Sequence, residues 1–230
     1  MSTEYSPLWI SLKAAFLSTS ITFVIGILVS YLMANYKGRY KGLIDGLLTL
    51  PLVLPPTVVG FFLLLLIGKN GWIGKLLLNF DITLVFSFTA TIIASTVVAF
   101  PMMYRTSRSA FEQIDDNLIS AARTLGLSEW RIFYKIAIPL AWPGIIAGIV
   151  LSFARALGEF GATLMIAGNI PGKTQTMPLA IFFAVEGRDM KKAIMWVLII
   201  TLISIVMILI LNYWSESQQK IIGKNRKKGV

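Results

Sequence analysis

The chain of 230 residues has no cysteine and no histidine, and charged residues make up only 14% of it. The missing residue types exclude a cysteine nucleophile, disulfides, a histidine general base and any metal site built on thiolate or imidazole. Charge is absent in whole blocks. Residues 14–36, 46–68, 82–104 and 193–215 contain no Asp, Glu, Lys or Arg, and each block is 23 residues long. A helix needs roughly 20 apolar residues to cross the hydrocarbon core of a bilayer. A fifth apolar stretch, 136–167, is interrupted only by Arg155 and Glu159. One such run would suit a buried helix of a soluble protein, but four and a fifth do not. Lipid offers backbone groups no hydrogen bonds, so open-ended spanning segments are helical. The expected fold is an all-α polytopic membrane bundle, one domain over 1–230. Its spans are expected at about 8–35, 46–68, 82–104, 140–167 and 193–214.

The first apolar segment is long enough to span and is preceded by Glu4 rather than a basic region, so it reads as a membrane helix and not a cleavable signal peptide. The net charge of +10 reads as loop charge that orients a multi-pass protein. No interleaving of aromatic and basic residues on a soluble domain suggests nucleic acid. With the loops after the first and third spans and the C-terminal tail inside, the inner segments carry 13 basic residues and the outer ones six. The inner set includes Lys220, Lys224, Arg226, Lys227 and Lys228. The bias predicts an outside N-terminus and a cytoplasmic C-terminus, in the cell membrane.

Between Arg105 and Lys135 the apolar pattern gives way to a polar one. Ile114, Leu118, Ala121, Ala122 and Leu125 recur at helical spacing and predict one apolar face. Asp115 or Asp116 suits the helix start, Gly126 a left-handed stop, and Ser128 the cap of a second helix with Glu129 in its first turn. Trp130 and Phe133 give that second helix an apolar flank. Pro139 and Pro143 predict a break where the chain re-enters the membrane. Coupling helices are therefore expected over about 115–135. Such a pair would dock a partner outside the bilayer, or lie on the lipid surface.

The spacing of this segment resembles the cytoplasmic signature of ABC importer permeases. That signature is Glu-Ala-Ala, three residues, Gly, nine residues, Ile, one residue, Leu-Pro. The chain has Ser120-Ala121-Ala122, Gly126, Ile136 and Ile138-Pro139, with Ser120 in place of Glu and Ile138 in place of Leu. The resemblance implies that Ser120, Ala121, Ala122, Arg123, Gly126, Trp130, Ile138 and Pro139 form the contact with an ATP-binding subunit. The run from Ala154 to Ile181, with Arg155-Ala156-Leu157-Gly158-Glu159-Phe160-Gly161 and Gly168-Asn169-Ile170-Pro171-Gly172, is similar to that of molybdate permease subunits. So is the run from Pro51 to Gly60. Sulfate and thiosulfate permeases share related wording, and tungstate is a further candidate cargo. The resemblance implies a pore of two copies of this chain, two cytoplasmic ABC ATPase subunits and an external molybdate-binding protein. ATP and magnesium would bind the ATPase, and no cofactor this chain. The chain contains no Gly-x4-Gly-Lys-Ser/Thr sequence, in keeping with ATP hydrolysis on a partner.

Arg155 and Glu159 stand four apart and are expected to pair, because an isolated charge in the membrane is costly. They would line the anion path or serve as a structural ion pair, and the second reading is favoured because a pore should not hold its cargo firmly. Gly158, Gly161 and Ala162 would permit close helix contact. Thr174, Gln175 and Thr176 would offer neutral hydrogen bonds to a passing oxyanion, or form an ordinary outer turn after Pro171-Gly172. Pro51, Pro55 and Pro56 are expected to bend or break the second span. Two other classes of function remain: a non-transporting membrane scaffold using the same docking helices, and an intramembrane enzyme using Arg155 and Glu159. The second lacks a nucleophile-and-base constellation.

Overall fold

Small side chains decide how the long helices meet. The computed structural model describes residues 5–226, with side chains described through residue 210. Helices α1 (Ser6–Asn35), α5 (Phe88–Glu112) and α8 (Ile138–Leu157) pack together at the centre. α1 buries Ala14, Ala15, Ser18, Thr22 and Gly26, and α5 buries Ala90, Ala94, Ser95 and Ala99. Short side chains let helix backbones approach, which is what drives association where lipid competes for every apolar contact. A Cβ at Gly26 would lie 2.7 Å from Met103 Cγ, so this crossing tolerates no side chain without a shift. Ser30 Oγ donates to the Tyr104 carbonyl at 2.9 Å, and the Met177 amide donates to Ser11 Oγ at 2.7 Å. Bulky residues such as Phe16 and Leu32 face outward. That arrangement suits hydrocarbon as the solvent.

The second expected span, 46–68, is two helices. α2 (Lys41–Val53) and α3 (Pro56–Ile67) meet at a 113° bend. Pro55 forces Leu54 into an extended conformation, and neither Pro55 nor Pro56 supplies an amide to continue the ladder. α2 buries no residue of its own, whereas α3 packs against α9 (Gly161–Ala167). A short α4 (Trp72–Leu78) follows. The third span begins at Phe88 rather than 82. Ser87 caps α5 by accepting from the Ala90 amide, and the Phe86 amide is held by the Ile166 carbonyl, so the apolar residues 82–87 are a bound loop. α5 then continues well past residue 104, to Glu112.

The fourth span is also rearranged. α6 (Asp116–Thr124) is separate, but α7 (Glu129–Ile132) runs through one π-turn, Phe133–Ala137, directly into α8. The break expected at Pro139 and Pro143 is absent. Pro139 lacks the amide for an α-helical bond, and immediately before it the Ile138 amide reaches back five residues to Phe133. The extra residue of the π-turn absorbs the change of register. The second helix of the expected coupling segment 115–135 is therefore continuous with α8, and Glu129–Leu157 together is long and apolar enough to cross a membrane. At the other end, α8 stops at Leu157 and α9 starts at Gly161, so the expected span 140–167 is two elements. α10 (Met177–Glu186) and α11 (Met190–Arg226) complete the described chain. α11 is longer at both ends than the expected 193–214. Lys227 and Lys228 lie outside the described residues. Among the described residues four helices are long and apolar enough to cross a membrane, Ser6–Asn35, Phe88–Glu112, Glu129–Leu157 and Met190–Ile210, and the bent α2–α3 pair is a fifth candidate.

Candidate functional site

The α6–α7 elbow is built from local signals. Asp115 Oδ1 accepts from the Asn117 amide at 2.8 Å and starts α6. The helix ends in a paired stop: the Leu127 amide donates to the Ala122 carbonyl at 3.2 Å, and the Gly126 amide to that of Arg123 at 2.9 Å. This closure needs a left-handed residue, and Gly126 has φ +79°. Ser128 occupies the cap position of α7 with an extended backbone, but its hydroxyl makes no capping bond. Arg123 and Glu129 tie the two helices instead, with Nε to Oε1 at 2.7 Å and Nη2 to Oε2 at 3.1 Å. The hydrogen bond to Glu129 holds the Arg123 guanidinium above its ordinary value.

The single apolar face expected from spacing is divided in two. Ile119 and Ala122 turn inward onto Ile132, with Ile114, Leu127 and Ile136 around them. Leu118, Ala121 and Leu125 turn outward, and Leu125 is 82% exposed. The expected face does not include Ile119, yet this residue anchors α6. Trp130 is exposed beside the elbow, as are Ser120 and Arg123; Pro139 is exposed and Ile138 half-buried. The result is an elbow tied by Arg123 and Glu129 that presents leucines 118 and 125 with the small Ala121 between them. Exposed apolar side chains on a braced helix are suited to filling a partner's groove.

Glu159 is 1% exposed and joins two helices. Its Oε2 accepts from Arg155 Nη1 at 2.8 Å, and its Oε1 accepts from the Ala162 amide at 2.8 Å. The pair does not lie along one helix, because α8 ends between them. The carboxylate ties the end of α8 to the first turn of α9, where an anion also meets the positive helix end. Gly161 is buried against Pro56 and Thr57, and Ala162 against Gly60 of α3. Gly158 is exposed and has only the Ala154 carbonyl near it, so it is a helix terminator and not a contact.

Thr174 is fully buried, and its hydroxyl is consumed by its own loop. It donates to the Gly168 carbonyl at 3.1 Å and accepts from the Ile170 amide at 3.0 Å. A threonine hydroxyl has one proton to donate, so none is left for an oxyanion. Thr176 is buried with a hydroxyl that has no partner among the described residues, and Gln175 lines a separate cavity with Lys192 and Asp189. The three residues do not converge. Backbone and side-chain N–H groups of Lys192 hold the Asp189 carboxyl below its ordinary value.

A polar cluster joins α2 to α5. Arg108 pairs with Asp45 and, at 2.9 Å, with Glu112, while Tyr104 donates to Asp45 at 2.8 Å and Lys41 reaches Glu112 at 3.4 Å. It fastens the otherwise exposed α2 to α5. Only the i,i+4 spacing of Arg108 and Glu112 is legible locally; Asp45 is 63 residues away from Arg108.

Residues 26–222 match the model of a binding-protein-dependent transport system inner membrane component. The chain is 42% identical to the putative molybdenum transport system permease protein YvgM of Bacillus subtilis, over 89% of this chain and 90% of that one. It is also 42% identical to the molybdenum transport system permease protein ModB of Haemophilus influenzae, over 96% and 97%. The sulfate transport system permease protein CysT of Escherichia coli is 33% identical, over 93% of this chain and 78% of that one. A solved bacterial ABC transporter involved in import of the acidic polysaccharide alginate has the same fold, with a TM-score of 0.75, 15% identity, and coverage of 94% and 80%. With most of its length matched, the chain belongs to the family of binding-protein-dependent transport system inner membrane components.

Proposed function

We propose that the chain is the pore-forming permease subunit of an ATP-driven importer that moves molybdate into the cell. The observation that carries this reading is the 42% identity to molybdenum transport permeases over nearly the whole chain. The lower identity to the sulfate permease favours molybdate over sulfate. In this reading two copies form the pore, two cytoplasmic ATPase subunits receive the exposed face of Leu118, Ala121 and Leu125, and an external binding protein delivers the anion. The N-terminus is outside and the C-terminus inside. ATP binding closes the ATPase pair, and because α7 runs without a break into α8, displacement of the elbow is passed along one continuous helix into the membrane.

Uptake of labelled molybdate by proteoliposomes containing the chain, its ATPase and its binding protein tests the proposal. Uptake that requires both ATP and the binding protein is expected, with strong competition by tungstate and weak competition by sulfate. Equal competition by sulfate would reassign the cargo. Stable assembly without any ATP-dependent uptake would support a scaffold instead.

A further inference from the structure

The cytoplasmic half of α5 carries two polar faces with opposite fates. On one, Tyr104, Arg108 and Glu112 are engaged with Asp45 and Lys41 of α2. On the other, Arg105, Ser109 and Gln113 stand at i, i+4 and i+8, so they form one stripe along the helix. That stripe lines an open cavity of about 880 Å³ between α5, the start of α6 and α8. Leu140, Pro143, Gly144 and Ala147 form its apolar wall. Arg105 has no hydrogen-bond or ion-pair partner among the described residues.

We propose that this cavity is a binding site for a tetrahedral oxyanion, with Arg105 as its cation and Ser109 and Gln113 as neutral donors. Gln113 Nε2 donates to Ser109 Oγ at 3.3 Å, which leaves the serine proton and the second amide proton for a ligand. Thr106 also lines the cavity, but its hydroxyl already donates to the Met102 carbonyl at 2.7 Å. The one carboxylate on the lining, Asp115, accepts the Asn117 amide through Oδ1 but keeps its negative charge, which opposes an anion and weakens the site. A single cation with neutral donors and one apolar wall holds an anion weakly, since an exposed charge is screened. Weak holding suits a site that must release what it binds.

Molybdate leaving the pore and the phosphate of a lipid headgroup share this chemistry. The cargo assignment rests on the importer reading, while the anion site itself does not. Asp115 and Leu118 belong both to the cavity rim and to the docking segment, so movement of α6 changes the site directly.

The cysteine-free chain permits a direct test. Ser109→Cys introduces a unique thiol, placed in the full chain in phosphatidylcholine nanodiscs. With each rate normalised to that of free cysteine, labelling by an anionic methanethiosulfonate is expected to be favoured about ten-fold over a cationic one, and Arg105→Gln should abolish the difference. Sodium molybdate slowing the reaction only when Arg105 is present would identify the cargo path. Slowing by added phosphatidylglycerol, with molybdate inert, would identify a lipid phosphate site. No charge preference, or a thiol that neither reagent reaches, would overturn the proposal. Proteoliposome uptake is read separately, so failure of transport and failure of the anion site are different results.

Discussion

Removing Arg155 should damage the protein more than neutralising Glu159, although the two form one ion pair. The asymmetry follows from burial. The Glu159 side chain is 1% exposed and that of Arg155 is 27% exposed. In Glu159→Gln the amide oxygen still accepts from the Ala162 amide, and the guanidinium turns its open edge to the surroundings. The loss is that of one charge-assisted hydrogen bond, about 1.5–3 kcal/mol. In Arg155→Ala the carboxylate keeps its place with only the Ala162 amide to stabilise it, and breaking a buried pair from one side costs about 3–5 kcal/mol. The gap between the variants is therefore about 2 kcal/mol, or roughly 4–8 °C in midpoint for a chain of this size. Unfolding in nanodiscs, followed by tryptophan fluorescence, measures it. The double variant Arg155→Ala with Glu159→Gln removes the charge imbalance, and should be less damaging than the two single changes added together by more than about 0.5 kcal/mol. Equal effects of Arg155→Ala and Glu159→Gln, or strict additivity, would refute the assignment of Glu159 as the buried tie between α8 and α9.

Three further outcomes are expected. Gly126→Val should cost roughly 1–2 kcal/mol through its left-handed backbone alone, since a Cβ there meets nothing within 4 Å, and Gly126→Asn much less; co-purification of the ATPase should fall in the same order. Gly60→Val should lose about 1–3 kcal/mol, because its Cβ would stand 2.8 Å from both Ala162 Cα and Met165 Cβ, and Met165→Ala, which keeps that Cβ, should not restore the lowered unfolding midpoint. Thr174→Val should destabilise by about 1–3 kcal/mol while leaving the ratio of molybdate to sulfate uptake unchanged, because its hydroxyl serves the loop.

The chain of residues by itself determined that this protein lives in a membrane. Charge-free runs of spanning length admit little else, since each buried backbone group must find its partner within its own helix. The start and stop of α6 were equally legible, because a cap at Asp115 and a left-handed glycine at Gly126 act within a few residues. The spacing around Gly126 also carried the family resemblance. Other features were decided only by tertiary structure. Whether Leu118 or Ile119 faces the bundle depends on which neighbour covers α6, and periodicity in a nine-residue helix is too short to choose between adjacent stripes. Whether a proline breaks a helix depends on what surrounds it. Pro55 and Pro56 end one, whereas Pro139 follows a π-turn and is absorbed. The Arg108–Asp45 tie and the donor-poor Thr174 loop join or enclose groups through folded geometry, not composition. The stripe of Arg105, Ser109 and Gln113 acquires meaning only because α8 and the start of α6 leave space beside it, and space between helices is written in no single helix.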